Sequence, residues 1–216
     1  MNIGIIGSGE VGRTLGAALL KEGHSVLLGT RHTNKKDVVE WKAANPAGKT
    51  GSFAEAAVAG SDLIIFCVSG IVAEEAIRLA GPSHFKGKTV IDTTNPTAAE
   101  PAVNGVLKFF TDMNDSLMEQ IQRLLPEAHL VKAFNSVGSD FMYRPRFAAG
   151  KPTMFICGNN DAAKATVTQL LTVFGWETED MGKAEAARAI EPLCMLWCIP
   201  GLLKNEWSHA FKLLKA

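Results

Sequence analysis

Net charge is the first thing this 216-residue chain lacks, because 22 lysines and arginines balance 22 aspartates and glutamates. No overall field draws it to nucleic acid or an acidic membrane, so any anion site must be local. Tyrosine is nearly missing, with Tyr143 alone, and no Tyr-x-x-x-Lys or Ser-x-x-x-Lys follows an apolar run. That removes a common acid-base arrangement of alcohol dehydrogenases. The four cysteines form no C-x-x-C pair, and no histidine stands at zinc-finger spacing from them. A disulfide framework and a metal site are therefore not expected, and buried free thiols are. The longest late apolar run, residues 193–203, is broken by Pro200-Gly201 and falls short of the roughly 20 residues a membrane span needs. A strand-like run starts at Asn2 and leaves no room for a leader peptide, so a cytoplasmic location is the expectation.

What is present is an ordinary globular composition, 47% hydrophobic and 20% charged, with no tract of the disordered type. Apolar runs of strand length alternate with helical spacings. Asn2 to Ile6, Ser25 to Leu28, Asp62 to Val68, Lys88 to Asp92 and His129 to Phe134 read as strands. Between them lie helices at Val11 to Glu22, Lys35 to Ala44, Phe53 to Ala59, Val72 to Leu79 and Ser116 to Leu125. Strands at Thr153 to Cys157 and Trp176 to Asp180 flank a helix from Asp161 to Phe174, and a mostly helical tail follows Lys183. Pro192 and Pro200 should bend or break that tail. The pattern predicts a Rossmann-type α/β fold: a doubly wound, mostly parallel sheet with added C-terminal strands and a helical tail. One domain over 1–216 is expected, with a dinucleotide-binding core at 1–138 and an extension at 139–216.

The first strand runs straight into Gly7-Ser8-Gly9-Glu10-Val11-Gly12 and then a helix. In such a turn the first glycine permits the bend, the second lets a pyrophosphate approach the backbone, and the third lets helix and strand pack closely. The amides and dipole of the helix N-terminus favour the anion. The second strand ends in Gly29-Thr30-Arg31-His32, with Lys35 and Lys36 close behind and no Asp or Glu to accept hydrogen bonds from ribose hydroxyls. Thr30, Arg31 and Lys35 instead suit a 2′-phosphate, so the expected cofactor is NADP(H).

Three further loops should face the same crevice: Val68-Ser69-Gly70, Thr93-Thr94-Asn95-Pro96-Thr97 and Ala133-Phe134-Asn135-Ser136-Val137-Gly138. Asn95 and Asn135 offer amide groups to a carboxamide or a second substrate, or else close Asx turns. Asp92 is better read as bonded to backbone than as a catalytic base. None of the five histidines is expected beside the crevice loops. Hydride exchange between nicotinamide and a flavin-like ring needs no such group, because the cofactors carry the chemistry.

These motifs, together with Val131-Lys132-Ala133-Phe134-Asn135, Gly182, Ala187-Arg188 and Glu191-Pro192, resemble the NADPH:deazaflavin (coenzyme F420) oxidoreductases. They are similar also to the cytoplasmic domain of the six-transmembrane ferric reductases. The resemblance implies that Thr30, Arg31 and Lys35 hold the 2′-phosphate, and that Val68, Ser69, Asn95 and Ala133 lie along the cofactor. Members often carry a proline after the fourth strand, where this chain has Ser69-Gly70.

The leading expectation is an NADP(H)-dependent oxidoreductase passing hydride to or from a deazaflavin coenzyme, FMN or FAD. Two alternatives stand beside it: a reductase of a small imine or ketone, and a non-catalytic NADP(H) sensor. The apolar tail, with Leu193, Leu196, Trp197, Leu202, Leu203, Trp207, Phe211 and Leu214, reads as a core-capping helix pair or as a homodimer surface.

Overall fold

The computed structural model describes residues 1–215. Strands β1 (Asn2–Ile6), β2 (Ser25–Gly29), β3 (Lys49–Gly51), β4 (Leu63–Phe66), β5 (Thr89–Asp92) and β6 (His129–Lys132) form one parallel sheet in the order β3-β2-β1-β4-β5-β6. This is the doubly wound arrangement, and its strand order reverses between β1 and β4, where a crevice opens. Strand β4 is buried along its whole length, as a central strand covered on both faces must be.

Helices α1 (Glu10–Lys21) and α2 (Lys36–Ala44) follow β1 and β2, and α3 (Phe53–Ala59), α4 (Ala73–Ala80) and α5 (Leu117–Leu124) follow β3, β4 and β5. Leu15 and Leu19 of α1 and Trp41 of α2 share one core with Ile5 and Ile65. On the other face Ala56, Ala76, Ile77, Met118 and Ile121 from α3, α4 and α5 pack on Ile64 and Val90. Ser52 and Ser116 start α3 and α5 with reciprocal capping boxes to Glu55 and Glu119, which satisfy amides that would otherwise lack partners.

Strands β7 (Thr153–Ile156) and β8 (Glu177–Asp180) make a separate parallel pair, with α6 (Asp161–Val173) between them. A single antiparallel bridge from Lys132 to Cys157 joins the pair to β6. Helix α6 starts at Asp161 as expected, and its cap is Asn160, whose side chain accepts from the Ala163 amide at 2.9 Å.

The tail corrects two expectations. Helices α7 (Ala187–Ile190) and α8 (Pro192–Lys204) are not followed by a partner helix. Residues 205–215 form no regular element, and the Thr153 amide donates to the Phe211 carbonyl at 2.9 Å. Trp197 and His209 tie this strap to α8: Trp197 Nε1 donates to the His209 carbonyl at 2.9 Å, and His209 Nε2 lies 2.8 Å from the Trp197 carbonyl. Pro192 sits at the first turn of α8, where no amide is needed, and α8 continues through Pro200. Together the pieces make a 21-residue helical run, Ala184–Lys204, long and apolar enough by length and composition to cross a membrane. Counting uninterrupted apolar residues misses it, because Glu191 and Arg188 fall inside. Its first half is packed on α5, whereas Leu196, Leu202 and Leu203 are exposed.

Candidate functional site

The switch point between β1 and β4 holds the phosphate turn. Gly7 has φ +122°, and a Cβ there would lie 2.5 Å from the Cys67 carbonyl oxygen. At Gly12 a Cβ would lie 2.0 Å from the Gly7 carbonyl oxygen, so helix and turn are in direct contact. A Cβ on Gly9 would meet no atom within 4 Å, which leaves the open approach a pyrophosphate needs. Glu10 and Val11 begin α1, and Glu10 points to solvent.

Across this turn lies the end of β2. Ser8 Oγ donates to Thr30 Oγ1 at 2.9 Å, and Thr30 Oγ1 accepts from the His32 amide at 3.2 Å. The buried Thr30 hydroxyl thus folds residues 30–32 into a fixed shape. Arg13 braces the opposite side by donating to the Ser8 carbonyl at 2.8 Å and to Asp37 at 2.5 Å. Lys35 also pairs with Asp37, at 3.0 Å. That hydrogen bond, with the Arg13 charge, holds the Asp37 carboxyl below its usual range. Arg31 is exposed and makes no ion pair among the described residues, so its guanidinium is free for a ligand while the Lys35 ammonium is shared.

A cavity of about 330 Å³ joins Gly7, Ser8 and Gly9 to Thr30, Arg31 and Lys35 and reaches Val68 and Ser69. Its further wall was not read from the sequence. Phe53, Val72, Ala76 and Leu79 give it an apolar side, and Glu75 and His32 stand in the same cavity. The only local sign in the sequence is the seven-residue spacing of Val72 and Leu79, and the structure leaves both exposed, at 37% and 39%. His32 corrects the expectation that no histidine adjoins the crevice. A larger cavity of about 610 Å³ lies beyond α4, where Gly70, Ile71, Leu117 and Ile121 line it, so the loop after β4 separates the two.

Asn95, Pro96, Ala133 and Asn135 do not line the 330 Å³ cavity. They stand at the ends of β5 and β6, and Pro96, Ala133 and Asn135 are buried. The two asparagines bind each other: Asn95 Nδ2 donates to the Asn135 carbonyl at 2.8 Å, and Asn135 Nδ2 donates to Asn95 Oδ1 at 3.1 Å and to the Ile190 carbonyl at 3.0 Å. Asp92 accepts from the Thr94 amide at 2.9 Å and from its hydroxyl at 2.7 Å, as expected of a backbone-bonded carboxylate. It also meets Lys132 Nζ at 2.7 Å. That ammonium, with no solvent exposure, reaches Glu191 at 2.8 Å and the Thr94 carbonyl at 2.8 Å. Burial pulls the Lys132 pKa down, but Asp92 and Glu191 outweigh it and the net shift is upward. Glu191 also accepts from the Leu117 and Met118 amides at 3.0 and 2.9 Å.

The thiols divide into two kinds. Burial pushes Cys67 and Cys157 up to about 12, as inert core thiols. Cys194 and Cys198 are only half-buried, contrary to the expectation for all four. Interaction between the two raises Cys194 and lowers Cys198.

Sheet order, phosphate turn and crevice define a dinucleotide-binding domain of the Rossmann class. The family model for NADP oxidoreductase, coenzyme F420-dependent, matches residues 2–96. A crystal structure from Arthrobacter sp. FB24, of a protein inferred to be an F420-dependent NADP-reductase, is 31% identical with a TM-score of 0.92, and each chain covers 100% of the other. The chain belongs to this family, and its fold is that of the NADP(H)-binding oxidoreductases. It is also 30% identical over 206 residues to metalloreductase STEAP3 of Rattus norvegicus, covering 93% of this chain and 38% of that protein. For metalloreductase STEAP2 of Homo sapiens the identity is 27%, covering 89% of this chain and 36% of the relative. The chain thus spans well under half the length of these curated relatives.

Proposed function

We propose that the protein exchanges hydride between NADP(H) and a deazaflavin or flavin ring, with the nucleotide laid from Thr30 and Arg31 over the phosphate turn to the loops after β4, β5 and β6. Arg31, which makes no ion pair among the described residues, takes the 2′-phosphate; Lys35, shared with Asp37, adds a weaker charge. Val68 and Ser69 flank the nicotinamide half, and Asn95, Pro96, Ala133 and Asn135 meet it chiefly through backbone, since their side chains are buried or engaged with one another.

One observation supports this acceptor class above others. The polar side chains at the ends of β5 and β6 are occupied: Asp92 by Thr94 and Lys132, and Asn95 by Asn135. At those strand ends neither Asp92 nor Lys132 is free to serve a carbonyl substrate as acid or base, while transfer between two redox rings needs alignment and exclusion of water. The family match to coenzyme F420-dependent oxidoreductases supports the same reading.

The test is to mix the protein with NADPH and, separately, coenzyme F420, FMN, FAD and a ferric chelate while following NADPH absorbance. Oxidation with a deazaflavin or flavin is expected. Its absence with every ring acceptor overturns the proposal, and oxidation by the chelate alone points to direct metal reduction.

A further inference from the structure

Residues 94–95, 132–135 and 190–191 are far apart in sequence, yet two polar lattices bind them. One is the ionic cluster of Lys132, Asp92 and Glu191, each no more than 2% exposed. The other is the amide lattice of Asn95, Asn135 and the Ile190 carbonyl. Both connect the loop leaving β5 to the junction of α7 and α8.

Stability alone does not account for the ionic cluster. Well-packed apolar residues in place of a buried ion cluster are often neutral or stabilising, because desolvation of the charges offsets their attraction. What the cluster supplies is direction. Lys132 Nζ meets three oxygen acceptors at 2.7 to 2.8 Å, and one of them is the Thr94 carbonyl, in the segment that runs from β5 into the crevice. Asp92 holds the same residue by its amide and hydroxyl. Glu191 fixes the other end by accepting from the first amides of α5.

We infer that Lys132 and Glu191 are positioning residues for hydride transfer, setting the 93–95 loop and through it the nicotinamide, independently of the adenosine anchor at Thr30 and Arg31. This inference rests on the proposed path of the cofactor. Neither residue touches the ligand. Their effect belongs to alignment of the reacting ring, and displacement of about 1 Å at that point can cost on the order of a hundredfold in rate.

The experiment compares the parent with Lys132→Met, Thr94→Val and Thr94→Ser in the full chain. It measures the NADPH dissociation constant, the fluorescence of bound NADPH, which reports the nicotinamide surroundings, and kcat with the acceptor found active. For Lys132→Met and Thr94→Val we expect the dissociation constant to stay within about threefold, the bound emission to change, and kcat to fall by roughly tenfold or more. Thr94→Ser, which keeps the hydroxyl on Asp92, should restore the parent values. Parent-like emission and kcat in the folded variants overturn the inference, as does a dissociation constant that weakens in step with kcat. If Lys132→Met fails to fold, the Thr94 pair decides, because it leaves all three charges in place. If no acceptor turns over, the acceptor proposal fails while the emission of bound NADPH still decides this one.

Discussion

Arg188 of α7 grips Glu119 of α5 with both arms of its guanidinium, Nε to Oε2 at 3.0 Å and Nη2 to Oε1 at 2.6 Å. The fork, with the Ser116 bonds, outweighs the upward pull of burial and holds the Glu119 carboxyl down at about 2. A depressed carboxyl stabilises the fold above its unfolded pKa, and that contribution is lost as pH falls through the folded value. Because the Arg188 side chain is 37% exposed, solvent screening keeps the contribution of the pair modest. Urea unfolding of Arg188→Ala should show this full deficit at pH 7, shrinking between the usual carboxylate range and about pH 2. A deficit that does not change with pH would assign the effect to packing.

At the phosphate turn, two glycine substitutions should separate folding from binding. Gly12→Ala places a methyl 2.0 Å from the Gly7 carbonyl oxygen, so the turn must shift, at roughly 1–3 kcal/mol in thermal or urea unfolding. Gly9→Ala meets no protein atom within 4 Å. It should unfold like the parent yet lose NADPH affinity in a fluorescence titration, because its methyl occupies the approach of the pyrophosphate.

For cofactor choice, Arg31→Ala should raise the NADPH dissociation constant about ten- to a hundredfold, the equivalent of roughly 1.5–3 kcal/mol for a charged hydrogen bond. NADH binding should hardly change. Lys35→Ala should cost less, since Asp37 already shares its charge. Calorimetric titration of both nucleotides checks this, and an unchanged NADPH/NADH ratio in Arg31→Ala removes the assignment.

Thiol chemistry should follow burial and hydrogen bonding. Cys67 and Cys157, pushed up to about 12, should resist iodoacetamide until the chain unfolds. Cys198, half-buried and lowered by its interaction with Cys194, should be alkylated first, as peptide mass mapping over time would show.

Much of the site was legible in sequence because its signals are local. The phosphate turn is a strand, three spaced glycines and a helix in one stretch, and the sheet places it at the switch point. Thr30 and Arg31 follow the second strand directly, and the missing acid there is itself a local fact. Strand β3 escaped notice because its three residues bury little and pair only at the sheet edge. The supposed helix pair in the tail is a helix and an irregular strap, since tertiary pairing with β7 overrides the apolar pattern.

By itself, then, the sequence determined the βαβ alternation, the three-glycine turn between strand and helix and the cationic end of β2, all set by neighbours within a few residues. Only the tertiary structure decided that His32 and the α4 face share one cavity, and that Asp92, Lys132 and Glu191 form one buried cluster. A lone lysine in a strand carries no mark of its partners. Which carboxylates neutralise it depends on strand order and on where the chain returns, and those are properties of the packed fold.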